Sequence, residues 1–259
     1  MRVVSLESSF DSAAFARDGF AVVGNAVSPP LLAGLRDALE RVQGAVPGLP
    51  PELLERLTFE RDLPEARRGG IAASEVGDAI FILGDPVAFD PLFWEVLRQP
   101  ALVSAARMAL GVRDLAAHFM NVTIKHRRFG RAIGWHRDYP NGYASPAASC
   151  FVRAMLCLDG MFRDGGATAF IPGSHLLADA EVAEPAPPGG WQPPESDVVV
   201  VCCDPGDLVL IHPKVLHGGG MNTSSSPRRN IVVQIGDAAM PLRRVPEQET
   251  VAGHRLEAV

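Results

Sequence analysis

The stretch DGGATAFIPGS, residues 164–174, encodes a short strand held between two turns. The turns are Asp-Gly-Gly at residues 164–166 and Pro-Gly-Ser at residues 172–174, and each of these residue types favours turn geometry. Residues 167–171 between them are apolar or β-branched and have the length of a strand. The stretch therefore predicts a sheet built from short strands that reverse direction at tight turns.

Five more runs of strand-like sequence lie on either side of this stretch. They cover residues 118–125, 151–158, 198–203, 207–212 and 230–236, and turn signals of Gly, Pro and Asp separate several of them. Several short strands with regular turns are typical of a β-sandwich, jelly roll or barrel. We therefore predict a mainly β fold with a double-stranded β-helix core, of the jelly-roll or cupin type, over residues 115–240.

Residues 1–114 have a different pattern and are predicted to be helix-rich. A first helix is expected at residues 11–18. A second is expected at residues 31–42, where apolar residues recur at helical spacing after a Ser-Pro-Pro start signal. Residues 90–110 predict one or two further helices, whereas GFAVV at residues 19–23 predicts a short strand. These N-terminal α-helices are expected to brace the β core.

A single domain over residues 1–259 is the simplest arrangement of these parts. One segment stands apart, because residues 60–77 are charged and contain glycine. We expect this segment to be an exposed, mobile excursion, and it is a candidate lid, since loops carried by a rigid scaffold often set specificity.

The composition restricts the partners of the protein. Lys plus Arg is 24 and Asp plus Glu is 30, which gives a net charge of -6. This balance disfavours nucleic acid as the main partner, because phosphate binding depends on a basic surface. No run approaches the about 20 apolar residues of a membrane helix, and the first ten residues lack the apolar region of a signal peptide. We expect a cytoplasmic protein that acts on a small molecule, and the sequence leaves its oligomeric state open.

His136 and Asp138 form the most informative local motif, in the sequence Gly-Trp-His-Arg-Asp. In a strand their side chains would lie on one face, and Arg137 would point to the other. An imidazole beside a carboxylate is half of a 2-His-1-carboxylate facial triad, which leaves positions on iron(II) free for a cosubstrate and O2. A structural, hydrogen-bonded His–Asp pair would also account for the motif on its own.

Two histidines compete for the third ligand position. His212 precedes a proline, which restricts it to extended backbone. His217 precedes three glycines, which let the backbone pass close to a bound group. Arg228 lies eleven residues beyond His217, at the start of a predicted strand. A chain that turns after His217 and returns antiparallel would bring Arg228 beside the metal, where its guanidinium is suited to bidentate capture of a carboxylate.

Four stretches, taken in order, resemble the phytanoyl-CoA dioxygenase family of iron(II)/2-oxoglutarate oxygenases. The third is the most specific, because it combines Leu-Asp, Gly-Gly and Pro-Gly-Ser-His in the order that the family shows. Except for roughly residues 44–90 and the proline-rich segment 183–194, the resemblance covers nearly the whole chain. The four stretches are residues 18–23 with 31–42, residues 134–138, residues 158–159 with 165–175, and the closing block Pro205-Gly206-Asp207, His217, Asn222 and Arg228.

The resemblance implies a ligand set and a cosubstrate anchor. It assigns His136, Asp138 and His217 as the ligands of the metal, and hence as the catalytic centre. Arg228 falls where the arginine of the family holds the distal carboxylate of 2-oxoglutarate. The cofactors that it implies are Fe(II), 2-oxoglutarate as cosubstrate, and O2.

Further contacts follow from the same resemblance. Asn121, Thr123 and Lys125 lie on the strand before the ligand motif, where such enzymes often place polar contacts to the cosubstrate. The family commonly has Gln between its two neighbouring ligands, whereas this chain has Arg137. Asp138 is intact, while related halogenases carry a small residue there so that chloride can bind iron. Halogenation is therefore disfavoured.

The predicted activity is hydroxylation of an unactivated C–H bond in a small molecule. Arginines cluster around the ligand motifs of an otherwise acidic chain, Arg137 and Arg153 among them. We therefore predict an anionic substrate, derived from an amino acid or a natural product, that these two residues contact. Two alternatives are an acyl-thioester hydroxylase of the same family and a non-catalytic β-helix protein that binds a metal or small molecule. A cupin-type metalloenzyme without 2-oxoglutarate would leave Arg228 without a role.

Overall fold

The computed structural model describes residues 10–140, 144–178, 192–243 and 249–257. Its helices are α1 (Ser12–Asp18), α2 (Pro29–Ala45), α3 (Pro51–Leu54), α4 (Ala73–Val76), α5 (Trp94–Leu97) and α6 (Pro100–Leu110). Its strands are β1 (Phe20–Val23), β2 (Leu57–Phe59), β3 (Ile80–Gly84), β4 (Leu115–Lys125), β5 (Ile133–His136), β6 (Phe151–Cys157), β7 (Thr168–Phe170), β8 (Val199–Val200), β9 (Leu208–Ile211), β10 (His217–Gly219), β11 (Arg228–Asp237) and β12 (Arg255–Leu256).

Within the described residues, these strands form two antiparallel sheets. The large sheet has the order β1-β9-β6-β11-β4-β3-β2, with β12 paired to β4, and the small sheet has the order β5-β10-β7-β8. The sheets face each other across a shared apolar cluster, in which the ring of Phe20 stacks on that of Phe170 at 4.3 Å between centroids. The prediction of a mainly β fold with a double-stranded β-helix core is confirmed.

Alternation along the central strands divides the large sheet into an outer and an inner face. Val122 of β4 and Ile231 of β11 are fully buried on the outer face, in the same cluster as Leu35 of α2 and Leu102 of α6. Each such side chain stabilises the fold by roughly 1.5–3 kcal/mol through burial. The N-terminal helices therefore cover the outer face and brace the β core, as predicted, while the inner face is left for the site.

Local signals in the sequence set the two best-defined helix boundaries at the N-terminus. The side chain of Asp11 caps α1 by accepting hydrogen bonds at 2.9 Å from the backbone N–H groups of Ala13 and Ala14. Gly19 ends this helix in the left-handed conformation, with φ 84°. Helix α2 begins with Pro29, a residue that suits a first helical turn because its N–H would have no partner there.

Several strands differ from the predictions. Strands β2 and β3 lie in the part predicted to be helix-rich and extend the large sheet, so this part contributes more than helices. Strand β10 carries glycines and has no strand-like composition, so its pairing is imposed by its neighbours. The predicted strand at residues 198–203 is reduced to β8, and most of the proline-rich segment 183–194 lies outside the described residues.

Most residues in the segment 60–77 are exposed, as expected, but two charged side chains in its first half are not. Glu60 and Arg68 are both fully buried. The Arg68 guanidinium donates to the backbone oxygens of Glu60, Leu63 and Ile71, each at 2.6 Å. An arginine that satisfies three carbonyl groups ties the segment to itself, because breaking such bonds would leave a buried charge without compensation.

The described part of the chain contains no helix with the length and apolar character to cross a membrane. Strands from before and after residue 115 pair within one sheet, which is compatible with the single domain expected over residues 1–259. That domain assignment stays a prediction.

The substitution Gly166→Ala should lower the free energy of unfolding by about 2 kcal/mol or more. Gly166 has φ +69°, and an added Cβ would lie 2.5 Å from the backbone oxygen of Gly220. Urea-induced unfolding followed by circular dichroism measures the change. The matched control is Gly165→Ala, because Gly165 is not left-handed and its added Cβ would lie 3.3 Å from the nearest atom, the oxygen of Phe162. Equal stability of the two variants would contradict this account.

Candidate metal and cosubstrate site

Three potential metal ligands converge on the inner side of the small sheet. In the antiparallel pair of β10 with β5, His217 lies directly opposite His136. Their ring centroids are 4.3 Å apart. Asp138 follows β5 by two residues, so its side chain returns to the same side as that of His136. Within the described residues, this is the group of three His, Cys, Asp or Glu side chains that could hold a metal ion.

The distances between these groups fit a single ion. The Nε2 atoms of His136 and His217 each lie 3.7 Å from a carboxylate oxygen of Asp138. One ligand atom from each residue lies within 4.8 Å of the others. Two imidazoles and one carboxylate on one side of an ion form the donor set of non-haem Fe(II) oxygenases, with the remaining positions open. The residues therefore fit iron.

Backbone carbonyl groups orient both imidazoles. His136 Nδ1 lies 2.8 Å from the oxygen of Gly134, and His217 Nδ1 lies 3.0 Å from the oxygen of Val215. A carbonyl oxygen can only accept, so each Nδ1 carries the proton and each Nε2 presents its lone pair to the metal position. Burial lowers the pKa of His217 to about 4. The imidazole is therefore neutral at pH 7, the form that binds metal.

Asp138 is almost completely buried and is kept ionised by its neighbours. Burial alone would raise the pKa of this carboxyl group, but the nearby Arg153, His217 and His136 together hold it below its ordinary value. The closest of them is Arg153 of β6, whose Nη1 lies 3.1 Å from Asp138 Oδ1. The carboxylate is thus available as an anionic ligand at neutral pH.

Two buried basic side chains lie side by side at one end of the inner face. Arg228 of β11 pairs in register with Lys125 of β4, and both are buried. Burial lowers the pKa of Arg228 to about 10, so it stays charged at pH 7. In the amide orientation that satisfies both of its ends, Asn230 accepts from Arg228 Nη1 at 2.8 Å. Arg228 Nε has no hydrogen-bond partner among the described residues.

Lys125 contacts the backbone of both glycine-rich loops. Its Nζ donates to the oxygen of Gly166 at 3.0 Å and also to the oxygen of Gly220. Burial, followed by the charge of Arg228, lowers the pKa of Lys125 to about 6. The lysine therefore connects β4 to the loops that flank β7 and β10, close to Arg228.

The other two predicted cosubstrate contacts share this face. Thr123 lies opposite Asn230 in register, and Asn121 lies opposite Val232. Asn121 Oδ1 is buried without a hydrogen-bond partner among the described residues. The register and strand alternation thus bring Asn121, Thr123, Lys125 and Arg228 together on the inner face of the large sheet.

The two predicted substrate contacts are separated. Arg153 touches the triad through Asp138, and its guanidinium lies 5.0 Å from the ring centroid of Phe119. Arg137 instead donates from Nη2 to the backbone oxygen of Ser174 at 2.6 Å. The structure brings Arg153 to the triad and places Arg137 at the turn after β7, as alternation between His136 and Asp138 requires.

The rival ligand His212 lies outside the triad. Its ring centroid is 4.8 Å from that of His175, and its Nδ1 accepts from the backbone N–H of Lys214 at 3.1 Å. Sequence reasoning also missed a pocket residue, Gln234 of β11, which is fully buried opposite Arg153. Gln234 lies an even number of residues from Arg228 on β11, so its side chain is on the same face of the sheet. The alternation of side chains along the predicted strand would therefore have identified it.

Comparison with known proteins points to one family. The family model described as Phytanoyl-CoA dioxygenase (PhyH) matches residues 15–230, which is most of the chain. The chain belongs to the phytanoyl-CoA dioxygenase family. With its His-Asp-His triad, it is a dioxygenase that uses iron, 2-oxoglutarate and O2.

Individual relatives of this dioxygenase are distant. An uncharacterized protein of Mycobacterium tuberculosis is 27% identical over 221 residues, covering 81% of this chain and 68% of that protein. L-proline trans-4-hydroxylase of Streptomyces griseoviridis is 24% identical over 241 residues, covering 83% and 81%. The crystal structure of EctD from S. alaskensis with bound Fe has a TM-score of 0.70 at 21% identity, covering 93% of this chain and 83% of that one. At this identity the structural likeness shows a shared fold.

Replacing Lys125 by Met should change how stability depends on pH. Between pH about 6 and the ordinary lysine pKa of 10.5, the unfolded chain binds a proton at Lys125 that the folded chain does not. The wild type therefore gains stability as pH rises through this window, and the variant lacks that gain. The difference between their free energies of unfolding should grow by on the order of 1 kcal/mol per pH unit. Urea unfolding without 2-oxoglutarate measures it, and a difference that stays constant would contradict the buried, neutral lysine.

Proposed function

We propose that this dioxygenase hydroxylates an unactivated C–H bond of a small, anionic molecule. The observation that carries the proposal is the His136–Asp138–His217 triad, whose ligand atoms lie within 4.8 Å of one another. The buried cation Arg228 supports it. Fe(II), together with 2-oxoglutarate and O2, supplies the oxidising power that breaks the C–H bond, while 2-oxoglutarate is converted to succinate and CO2.

The side chains around the metal position would bind and orient the cosubstrate. A buried guanidinium is costly without an anion, so Arg228 is suited to the distal carboxylate of 2-oxoglutarate, which it can bind through two hydrogen bonds. Its Nε, which has no hydrogen-bond partner in the part of the chain that the structure describes, supports this role. Asn121, Thr123 and Lys125 lie on the adjoining strand and would supply further polar contacts. Lys125 also fixes both glycine loops beside the cosubstrate.

The opposite end of the inner face would bind the substrate. Arg153 lies there between Asp138 and the ring of Phe119, and so places positive charge within reach of a molecule bound beside the metal. An anionic group on the substrate would be attracted to this charge and fixed relative to the metal. The relative L-proline trans-4-hydroxylase, named for a small amino acid, is compatible with a substrate of this class.

A screen of small carboxylic acids for stimulated succinate release should yield a substrate, and Arg153→Ala should then raise its KM. Loss of a charge-assisted hydrogen bond corresponds to about 1.5–3 kcal/mol, or roughly 10- to 100-fold in KM. The KM for 2-oxoglutarate should change little, because its proposed anchor Arg228 lies six residues along β11 from the position opposite Arg153. Arg153→Lys should recover part of the loss, since it keeps the charge.

Arg137→Ala is the matched control, because the guanidinium of Arg137 donates to the backbone oxygen of Ser174. It should leave the substrate KM unchanged. His136→Ala, which removes a metal ligand, should abolish stimulated succinate release. The proposal fails if no acid stimulates the wild type, or if Arg153→Ala and Arg137→Ala have the same effect on the substrate KM.

A further inference from the structure

A cavity lies on the outer face of the large sheet, away from the triad. Its volume is about 230 Å³, and its walls include Phe15 of α1, Leu110 at the end of α6 and Val152 of β6. Val152 belongs to the outer apolar cluster, whereas the next residue, Arg153, faces inward and contacts Asp138. The large sheet therefore separates this outer cavity from the metal position.

The outer cavity has the size and the walls to hold a small organic molecule. An apolar cavity of roughly 150 Å³ holds benzene, so this one has room for one ring and a short chain. Most of its lining residues are apolar, and the cavity is partly open to solvent. A ligand could therefore enter without unfolding the protein, and it would gain free energy by burying apolar surface.

One negative charge lies in the wall of the outer cavity. It belongs to Asp237, at the end of β11, whose Oδ1 accepts from the backbone N–H of Ala239 at 2.9 Å. In the described part of the chain, no cation forms an ion pair with this carboxylate. Burial lowers the pKa of His212 to about 4 and raises that of the Cys150 thiol, so these two groups of the wall are neutral at pH 7.

This arrangement of charge selects the chemistry of the ligand. An anion would be repelled by Asp237, and a hydrocarbon would cover the carboxylate without supplying a donor. An ammonium group carries the opposite charge and N–H bonds that the carboxylate can accept. The complementary ligand is therefore an amine with an apolar body.

His212 connects the outer cavity to the metal ligands. Its backbone oxygen accepts from Val215 N at 3.0 Å, and the oxygen of Val215 lies 3.0 Å from Nδ1 of the ligand His217. The oxygen of Pro213, the residue after His212, accepts from the backbone N–H of the ligand Asp138 at 2.8 Å. Residues 212–215 thus contact two of the three ligands, and a shift of the His212 ring would reach both.

We propose that the outer cavity binds a small amine with an aromatic or branched apolar body, and that its occupancy changes the affinity of the triad for Fe(II). The ammonium group would pair with Asp237, and the apolar body would pack against Phe15 and Leu110. Because coupling between two sites is reciprocal, bound Fe(II) would change the affinity for the amine by the same factor. The outer cavity is then a regulatory site, and it does not depend on the identity of the hydroxylated substrate.

Calorimetric titration of the enzyme, loaded anaerobically with Fe(II) and 2-oxoglutarate, tests the binding. The probes are 2-phenylethylamine and 2-phenylethanol, which differ in an ammonium against a hydroxyl group. The amine should bind about tenfold or more tightly, because a charge-assisted hydrogen bond is stronger than a neutral one. It should still bind to His136→Ala, which has lost a metal ligand. No binding of the amine to the wild type, equal affinity for both probes, or loss of binding in His136→Ala would overturn the assignment.

Two variants of the wall show whether the amine occupies the outer cavity. Asp237→Asn keeps an acceptor for Ala239 but removes the charge, and it should weaken amine binding about tenfold. Its control is Asp164→Asn, which removes an exposed carboxylate elsewhere. Ala109→Phe adds a ring to the wall and should abolish binding, whereas Ser104→Phe adds one at an exposed position of the same helix and should not. Unchanged binding in both Asp237→Asn and Ala109→Phe would overturn the proposal.

The coupling is measured as the affinity for Fe(II), with and without saturating 2-phenylethylamine. The visible charge-transfer band of the anaerobic complex with 2-oxoglutarate reports the binding of the metal. The amine should change the Fe(II) affinity of the wild type several-fold and leave that of Ala109→Phe unchanged. An unchanged affinity in the wild type, or the same change in Ala109→Phe, would overturn the coupling through residues 212–215.

Discussion

The site depends on one strand pairing, the antiparallel register that places His217 of β10 opposite His136 of β5. A shift of this register by one residue would turn one imidazole to the other face of the small sheet and remove the ligand set. Strand β10 has little strand propensity of its own, and its pairing with β7 and β5 on both sides holds it in place. Backbone carbonyls at Gly134 and Val215 then fix both rings.

Charge is distributed unevenly along the inner face of the large sheet, so its two ends differ in the groups that they can bind. At one end, the buried guanidinium of Arg228 carries positive charge beside the neutral Lys125, and an acid must bind there to compensate that charge. At the other end, Arg153 compensates the metal-binding carboxylate of Asp138.

Features that depend on neighbouring residues along the chain could be predicted from the sequence. Alternating apolar residues predicted β4, β6 and β11, and the family resemblance carried over the His136–Asp138–His217 set that the structure brings together. Strand β10 was not predicted, because glycines carry no β pattern and only tertiary pairing makes them a strand. The substrate contact predicted for Arg137 stays a prediction, and the structure places its guanidinium at the backbone oxygen of Ser174. Arg68 was expected to be exposed with the rest of its segment, because composition does not show the backbone oxygens to which it donates.

The central claim is that one ion is held by the triad while Arg228 anchors the cosubstrate. An anaerobic crystal structure with Fe(II) and 2-oxoglutarate tests it most directly. We expect iron at about 2.1 Å from His136 Nε2, His217 Nε2 and an Asp138 oxygen, as for other imidazole and carboxylate ligands. The distal carboxylate of 2-oxoglutarate should be hydrogen-bonded to the guanidinium of Arg228. Iron bound away from these three residues, or a distal carboxylate that does not touch Arg228, would contradict the account.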